Sequence, residues 1–249
     1  MSFPSDTLCA CTVLPSVNFG ERALDLTIDL LVLHYTGMQS AKAAIDWLRN
    51  EASEVSCHYV VEESGNILQL VPENKRAWHA GKSEWQGIKD TNSRSVGIEI
   101  VNCGHDHGYP DFPKKQISSV IELCRDISKR HPIPPRNVVA HSDVSPGRKQ
   151  DPGEKFPWDS LFESGIGAWV EEDLNSEPFA YPGQSSEETA SLRALLSVYG
   201  YGIDVLPEYD AHTEDCVCAF QRHFRQSRVD GVADIGTYRT LEKLISRTV

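Results

Sequence analysis

No apolar run in this chain of 249 residues approaches the roughly 18–20 that a membrane-spanning helix needs. Basic residues are also scarce. Twenty-four Lys and Arg stand against 36 Asp and Glu, a formal net charge of −12. Binding a polyanion requires clustered cations to neutralise phosphates, so nucleic acid is not an expected partner. Cysteine is present seven times, an odd and scattered set that does not suggest a secreted disulfide framework. The segment Met1–Cys9 lacks the basic start and apolar core of a signal peptide. Leu8-Cys9-Ala10-Cys11 only faintly resembles a lipoprotein cleavage site, because Pro4 and Asp6 occupy the place of the greasy segment. A reduced, cytoplasmic protein is the resulting expectation. Hydrophobic content of 40% and charged content of 24% are those of a globular chain and exclude wholesale disorder.

The acidic excess is uneven. Residues 166–249 carry 14 acidic and 7 basic side chains, and six of those acids lie between Glu171 and Glu188 with no Lys or Arg among them. The same stretch holds Pro178, Pro182, Gly183 and several serines, the composition of a semi-extended linker. A boundary is therefore placed near 168–185, dividing the chain into residues 1–167, a linker, and residues 186–249.

The first part alternates strand and helix signals. Ile28–Leu33 is a short apolar run that reads as a buried strand, and Ser40 is placed to cap a helix over 41–52. His58–Val61 and Ile67–Val71 flank a loop containing Gly65, the pattern of a hairpin. Ser95–Val101 reads as a strand, 114–130 as an amphipathic helix stopped by Pro132, Pro134 and Pro135, and Asn137–Ala140 as a last strand. The fold class is α/β, a mixed sheet flanked by helices. The tail shows apolar residues at helical spacing in three stretches separated by Gly200, Gly202, Asp230-Gly231 and Gly236, which reads as a small all-α bundle of three helices.

Chemistry concentrates at the strand ends. His34 follows Leu30–Leu33 directly, His141 follows Asn137–Ala140 directly, and Asp151 lies ten residues further on in a loop. Two histidines and a carboxylate make a natural three-ligand set for catalytic Zn²⁺, which leaves a fourth position for water. Each histidine taken singly reads more readily as a hydrogen-bonded residue at a strand terminus, and spacing alone does not settle the matter. Glu99 shares a strand face with Gly97 and Val101, where a carboxylate is costly to bury unless something holds it. It suits a base beside activated water, or else that face is solvated. Lys149, two positions before Asp151, could stabilise an oxyanion or be an ordinary surface lysine.

Leu33-His34-Tyr35-Thr36, Ser56-Cys57-His58-Tyr59-Val60, Ala77-Trp78-His79-Ala80-Gly81, Asn92-Ser-Arg-Ser-Val-Gly-Ile-Glu99, Val139-Ala-His141-Ser-Asp143 and Pro146-Gly-Arg-Lys149-Gln-Asp151-Pro152-Gly153 follow one another in that order. Together these six motifs, spanning His34 to Gly153, resemble the zinc-dependent N-acetylmuramoyl-L-alanine amidases of the AmpD/AmiD type. The resemblance implies zinc held by His34, His141 and Asp151, with Glu99 as acid/base and Lys149 assisting. It also implies that Trp78, His79 and Asn92 contact substrate. The implied substrate is peptidoglycan or a muropeptide, cut between N-acetylmuramic acid and L-alanine. One branch of the family has a tyrosine where this chain has Cys57, a departure that places proton handling on Glu99. His58 is expected as a hydrogen-bonded strand residue, and His105 and His107 as members of a solvated polar loop.

The tail is similar to the three-helix peptidoglycan-binding domain. Phe220-Gln221, Asp230-Gly231, Gly236 and Thr237 fill the places of its usual signature, with Ile235-Gly236 where a Gly-Pro pairing is more regular. Cys216 and Cys218 fit helix packing. Two other functions are compatible with the same motifs: a non-catalytic peptidoglycan sensor, disfavoured by the full ligand set, and a zinc peptidase acting within the stem peptide. The tail would also suit a location in the periplasm or cell envelope, the alternative to the cytoplasm.

Overall fold

The computed structural model describes residues 3–248. A six-stranded sheet runs in the order Cys11–Val13, Ile67–Gln69, Tyr59–Val61, Ser95–Ile100, Leu30–Tyr35, Val138–Ala140. Neighbours are parallel except Tyr59–Val61 and Ile67–Gln69, which form the expected antiparallel hairpin. Ser40 caps the Ala41–Arg49 helix through a bond to the Ala43 N–H. That helix stops short of residue 52 because the Asn50 side chain accepts from Ala52 and starts a separate turn over Glu51–Ser53.

Period-two alternation along the Leu30–Tyr35 strand sorts its side chains onto two faces. Leu31 and Leu33 join Val96, Ile98, Ile100 and the apolar stripe of the Lys114–Arg130 helix in one core. Leu30 and Val32 point the other way, and what covers them is the C-terminal helical domain. They share a single core with Trp85, Leu192, Tyr199, Val217 and Phe220. The sheet is thus flanked by helices on both faces, and the tail supplies part of one flank, beside the Ala41–Arg49 helix over Val60 and Leu68. Three helices, Glu187–Tyr199, Ala211–Phe224 and Ile235–Thr248, form that tail, with Cys216 buried in its core.

The acidic segment expected as a tether is extended but seated. Ala168 and Val170 are buried, the Asp173 N–H donates to Thr240 Oγ1, and Pro178–Ala180 pairs with Ala233–Asp234 as a short antiparallel ribbon. A few alternating apolar residues are enough to dock this acidic segment. No helix among the described residues is long and apolar enough to cross a membrane.

Candidate metal centre

His34, next in the Leu30, Val32 series, lies on the tail-covered face where the strand leaves the sheet. Its partner in register is Glu99 on the neighbouring strand. His141 opens the four-residue turn His141–Val144 directly after Val138–Ala140. Asp151 comes back to the same place, and the Ser142 N–H donates to its carbonyl. All three side chains are buried, with ligand atoms within 4.8 Å of one another. His34 Nδ1 and His141 Nδ1 are 2.9 Å apart, and both approach Asp151 Oδ2, at 3.1 and 3.0 Å. A tetrahedral ion bound at about 2.0–2.1 Å spaces its donors by about 3.3 Å, close to the edges of this triangle.

The hydrogen bonds behind the triangle fix which atoms face inward. Ser95 Oγ donates to the Thr91 carbonyl at 2.7 Å, so it accepts from His79 Nε2–H at 3.1 Å. His79 Nδ1 is therefore bare and accepts from His34 Nε2–H at 3.1 Å. His141 Nε2 lies 3.2 Å from the Ala80 carbonyl and from Arg148 Nη2, which itself donates to that carbonyl at 2.6 Å; as a donor to the carbonyl, Nε2–H leaves Nδ1 bare. Both Nδ1 atoms consequently present lone pairs to the carboxylate. Three converging lone pairs repel unless a cation lies between them, so the donor set fits a metal ion. Burial, and secondarily His141, pushes His34 down to about 4, which leaves it neutral at neutral pH. Burial opposes the charge on Asp151, and positive charge at the His141 and His34 rings, the place a bound cation would take, is what holds its carboxyl below the usual range.

Gly97 makes room for this arrangement. A Cβ there would stand 2.5 Å from His79 Cγ. His58 is buried as expected, its Nδ1 accepting the Gly97 N–H and its Nε2–H donating to the Lys75 carbonyl. Glu99 Oε2 is buried without a hydrogen-bond partner. Burial, then the charge of Asp151, raises its carboxyl well above the usual range, while Lys149 opposes that rise. Glu99, Lys149, Trp78 and His79 all line a cavity of about 400 Å³ over the triangle. Trp47, Leu48, Val55 and Arg148 also line it.

Two expectations need correction. Asn92 is committed behind the cavity wall, its Oδ1 accepting the N–H groups of His79 and Ala80 at 3.2 and 2.8 Å. It therefore positions the His79 segment instead of meeting substrate. His105 is not simply solvated: its ring stacks on Tyr109 and bridges the Tyr35 hydroxyl and Glu154, whereas His107 is exposed. Ser95 joins the site without having been anticipated from the sequence, although 95, 97 and 99 fall on one strand face and the alternation carries that signal.

A buried pair of imidazoles and a carboxylate, an unpaired buried carboxyl and a free lysine around one cavity are the parts of a metal-dependent hydrolase site. The chain belongs to the N-acetylmuramoyl-L-alanine amidase family, whose profile matches residues 24–154. Residues 185–241 match a profile described as a peptidoglycan binding domain. The N-acetylmuramoyl-L-alanine amidase AmiD of Escherichia coli is 39% identical, over 88% of this chain and 83% of its own. A structure of that enzyme with the substrate anhydro-N-acetylmuramic acid-L-Ala-D-gamma-Glu-L-Lys superposes with a TM-score of 0.75 at 35% identity, covering 92% of this chain and 98% of that one. AmpDH3 of Pseudomonas aeruginosa superposes equally well, with a TM-score of 0.75 at 32% identity over 94% of this chain and 95% of its own. The 1,6-anhydro-N-acetylmuramyl-L-alanine amidase AmpD of Haemophilus influenzae is 32% identical and is matched over 93% of its length by 63% of this chain. So little of it is left over that it has no counterpart for the rest of the chain.

Proposed function

We propose that this protein hydrolyses the amide between N-acetylmuramic acid, or its anhydro form, and L-alanine in peptidoglycan or muropeptides, with zinc at the His34–His141–Asp151 triangle. The single observation that carries the reading is that triangle, with its inward lone pairs and the orphaned Glu99 carboxyl beside it. Zinc bound there supplies a Lewis acid that polarises the scissile carbonyl and acidifies water. Glu99 takes the proton of the attacking water and delivers it to the departing L-alanine nitrogen. Its raised affinity for protons suits both halves of that task. Lys149, on the cavity wall, faces the oxyanion of the tetrahedral intermediate. Cys57 is buried next to Glu99 and held as a neutral thiol by burial, so it packs against the base without sharing its role.

Trp78 and Trp47 give the cavity an aromatic lining suited to a sugar face, and Arg148 and Lys149 give it positive charge suited to the carboxylates of a stem peptide. In this reading residues 1–167 form the catalytic part and 186–249 the wall-binding part. The seven cysteines, all free thiols, are compatible with a cytoplasmic location, and the wall-binding tail favours the envelope as the alternative. Cell fractionation against compartment markers distinguishes these.

Digestion of purified muropeptides, with and without a chelator, tests the activity. Release of free or anhydro-N-acetylmuramic acid together with an intact peptide, abolished by the chelator and restored by zinc, is the expected result. Shortened stems still attached to sugar would instead make the protein a peptidase, and no cleavage at all would leave it a sensor.

A further inference from the structure

The turn His141–Val144 divides its four residues between two partners. His141 supplies a side chain to the triangle and Ser142 bonds the backbone of Asp151. Asp143 and Val144 face the C-terminal domain, Val144 in the shared core. Asp143 is fully buried, and its carboxylate accepts from the Ala140 N–H at 2.8 Å, from the Tyr201 hydroxyl at 2.6 Å and from His223 Nδ1–H at 2.6 Å. Two of those three donors belong to the tail. His223 itself is clamped between Trp158 of the first part, ring centroids 3.6 Å apart, and its own neighbour Phe224 at 3.7 Å. The loop running on to Lys149 and Asp151 is held on the same side, since any side chain at Gly147 would run into Asp215.

We propose that the C-terminal domain is a positioning element of the metal centre, acting through His223 and Tyr201 on Asp143 and so on the backbone that aims His141. The inference rests on zinc occupying the triangle. A buried carboxylate with three donors has one orientation, and the turn it caps cannot rotate without breaking them. Losing the tail donors would leave a buried charge with a single backbone bond, and the turn would relax to seek others. His141 Nδ1 would then leave the triangle by the fraction of an ångström that ligand geometry does not tolerate. AmpD of Haemophilus influenzae, which lacks a counterpart for the tail, bears the amidase name without this device. The coupling is therefore a feature of the two-part chain and not a requirement of the reaction. It gives the wall-binding domain a direct mechanical link to the centre it serves.

The experiment uses full-length apo-protein titrated with zinc against a chromophoric chelator. Wild-type protein is expected to bind one zinc, and if it binds none the reading of the centre fails before the coupling is tested. His223→Phe keeps an aromatic ring between Trp158 and Phe224 but removes the donor. It is expected to weaken zinc about tenfold, the lower end of what outer partners of metal ligands contribute. His223→Asn keeps a donor and loses the stack, and is expected to stay within about twofold of wild type in zinc affinity, given that donor geometry and not packing sets the ligand. Ile245→Ala, on the Ile235–Thr248 helix, which supplies no donor to Asp143, serves as the stability control and is expected to lower Tm without moving zinc affinity. On a soluble anhydro-muropeptide, His223→Phe is expected to lower kcat with KM little changed. Wild-type zinc affinity in His223→Phe, or equal zinc loss in Ile245→Ala, would overturn the proposal.

Discussion

His34 and His79 are joined Nε2 to Nδ1 at 3.1 Å, so one histidine of the metal triangle is oriented by another that never enters it. The orientation runs back through Ser95 to the carbonyl of Thr91, and every proton along it is assigned by that terminal acceptor. Burial, then the proximity of His34, keeps His79 neutral, as an acceptor must be. Substituting His79 with Phe should weaken zinc by about 10–100-fold, the usual consequence of removing such a partner. Gly97→Ala is the sharper test, because the nearest atoms its methyl group meets are those of the His79 ring, which it displaces. Both effects are checked by zinc competition, and unchanged affinity in both variants would show that the chain of bonds does not orient His34.

Glu99 should behave as the proton-handling group. Glu99→Gln is expected to cut kcat by about 10²–10⁴, the range of general acid–base catalysis, while zinc stays bound. The sign of the pH effect follows from its neighbours. A base works deprotonated, so kcat/KM should rise with pH through the Glu99 ionisation. Lys149 favours the charged carboxylate. Lys149→Met therefore raises the proton affinity of Glu99 further and should move the rising limb to higher pH. A limb that moves to lower pH would contradict the placement of Lys149 beside Glu99.

Much of this centre is legible in the amino-acid sequence, and the reason is geometric. His34, Glu99 and His141 sit at or near strand ends, where the period-two rule fixes the face and the end of the strand fixes the position. Ser95 obeys the same rule. Asn92 does not: it lies on the one-turn helix Thr91–Arg94, where a polar side chain serves the backbone or a ligand equally well, and only the position of His79 decides. The docking of the tail is hidden for a different reason. Leu30 and Val32 announce a buried face, but nothing local says which distant element covers it. Acidic composition suggests an extended segment near 168–185, and says little about whether Val170 and Ala180 find a core.

Another buried carboxylate, Glu73, stands apart from the chemistry and should govern acid stability. Burial alone would raise Glu73, but bonds from His131, Arg130 and the Tyr59 hydroxyl outweigh it and hold the carboxyl down at about 2. A depressed folded value means stability that is present above the unfolded value near 4.3 and lost as pH falls toward 2. The difference corresponds to on the order of 3 kcal/mol. Glu73→Gln should therefore lower stability at neutral pH and narrow the gap to wild type as the pH approaches 2. Urea denaturation at a series of pH values measures this, and a gap that is constant with pH would rule out the linkage.

The shared core predicts how the molecule unfolds. Trp85, from the first part, is fully buried against Tyr199 and Tyr201 of the tail, with ring centroids 5.8 and 5.3 Å away, and its Nε1–H bonds Asn137 Oδ1. A tail on a free tether would melt by itself and leave the sheet intact. Here the tail covers Leu30, Val32 and Val139, so its departure would expose the centre of the sheet. One cooperative transition is expected, with far-UV and near-UV signals changing together. Trp85→Ala removes the side chain common to both halves and should cost about 3–5 kcal/mol, as truncations of buried aromatic residues do. Because Trp85 packs on Tyr201, a donor to Asp143, that loss should lower zinc affinity in the folded variant as well, whereas two separated transitions in wild-type protein would mean that the halves are stable independently.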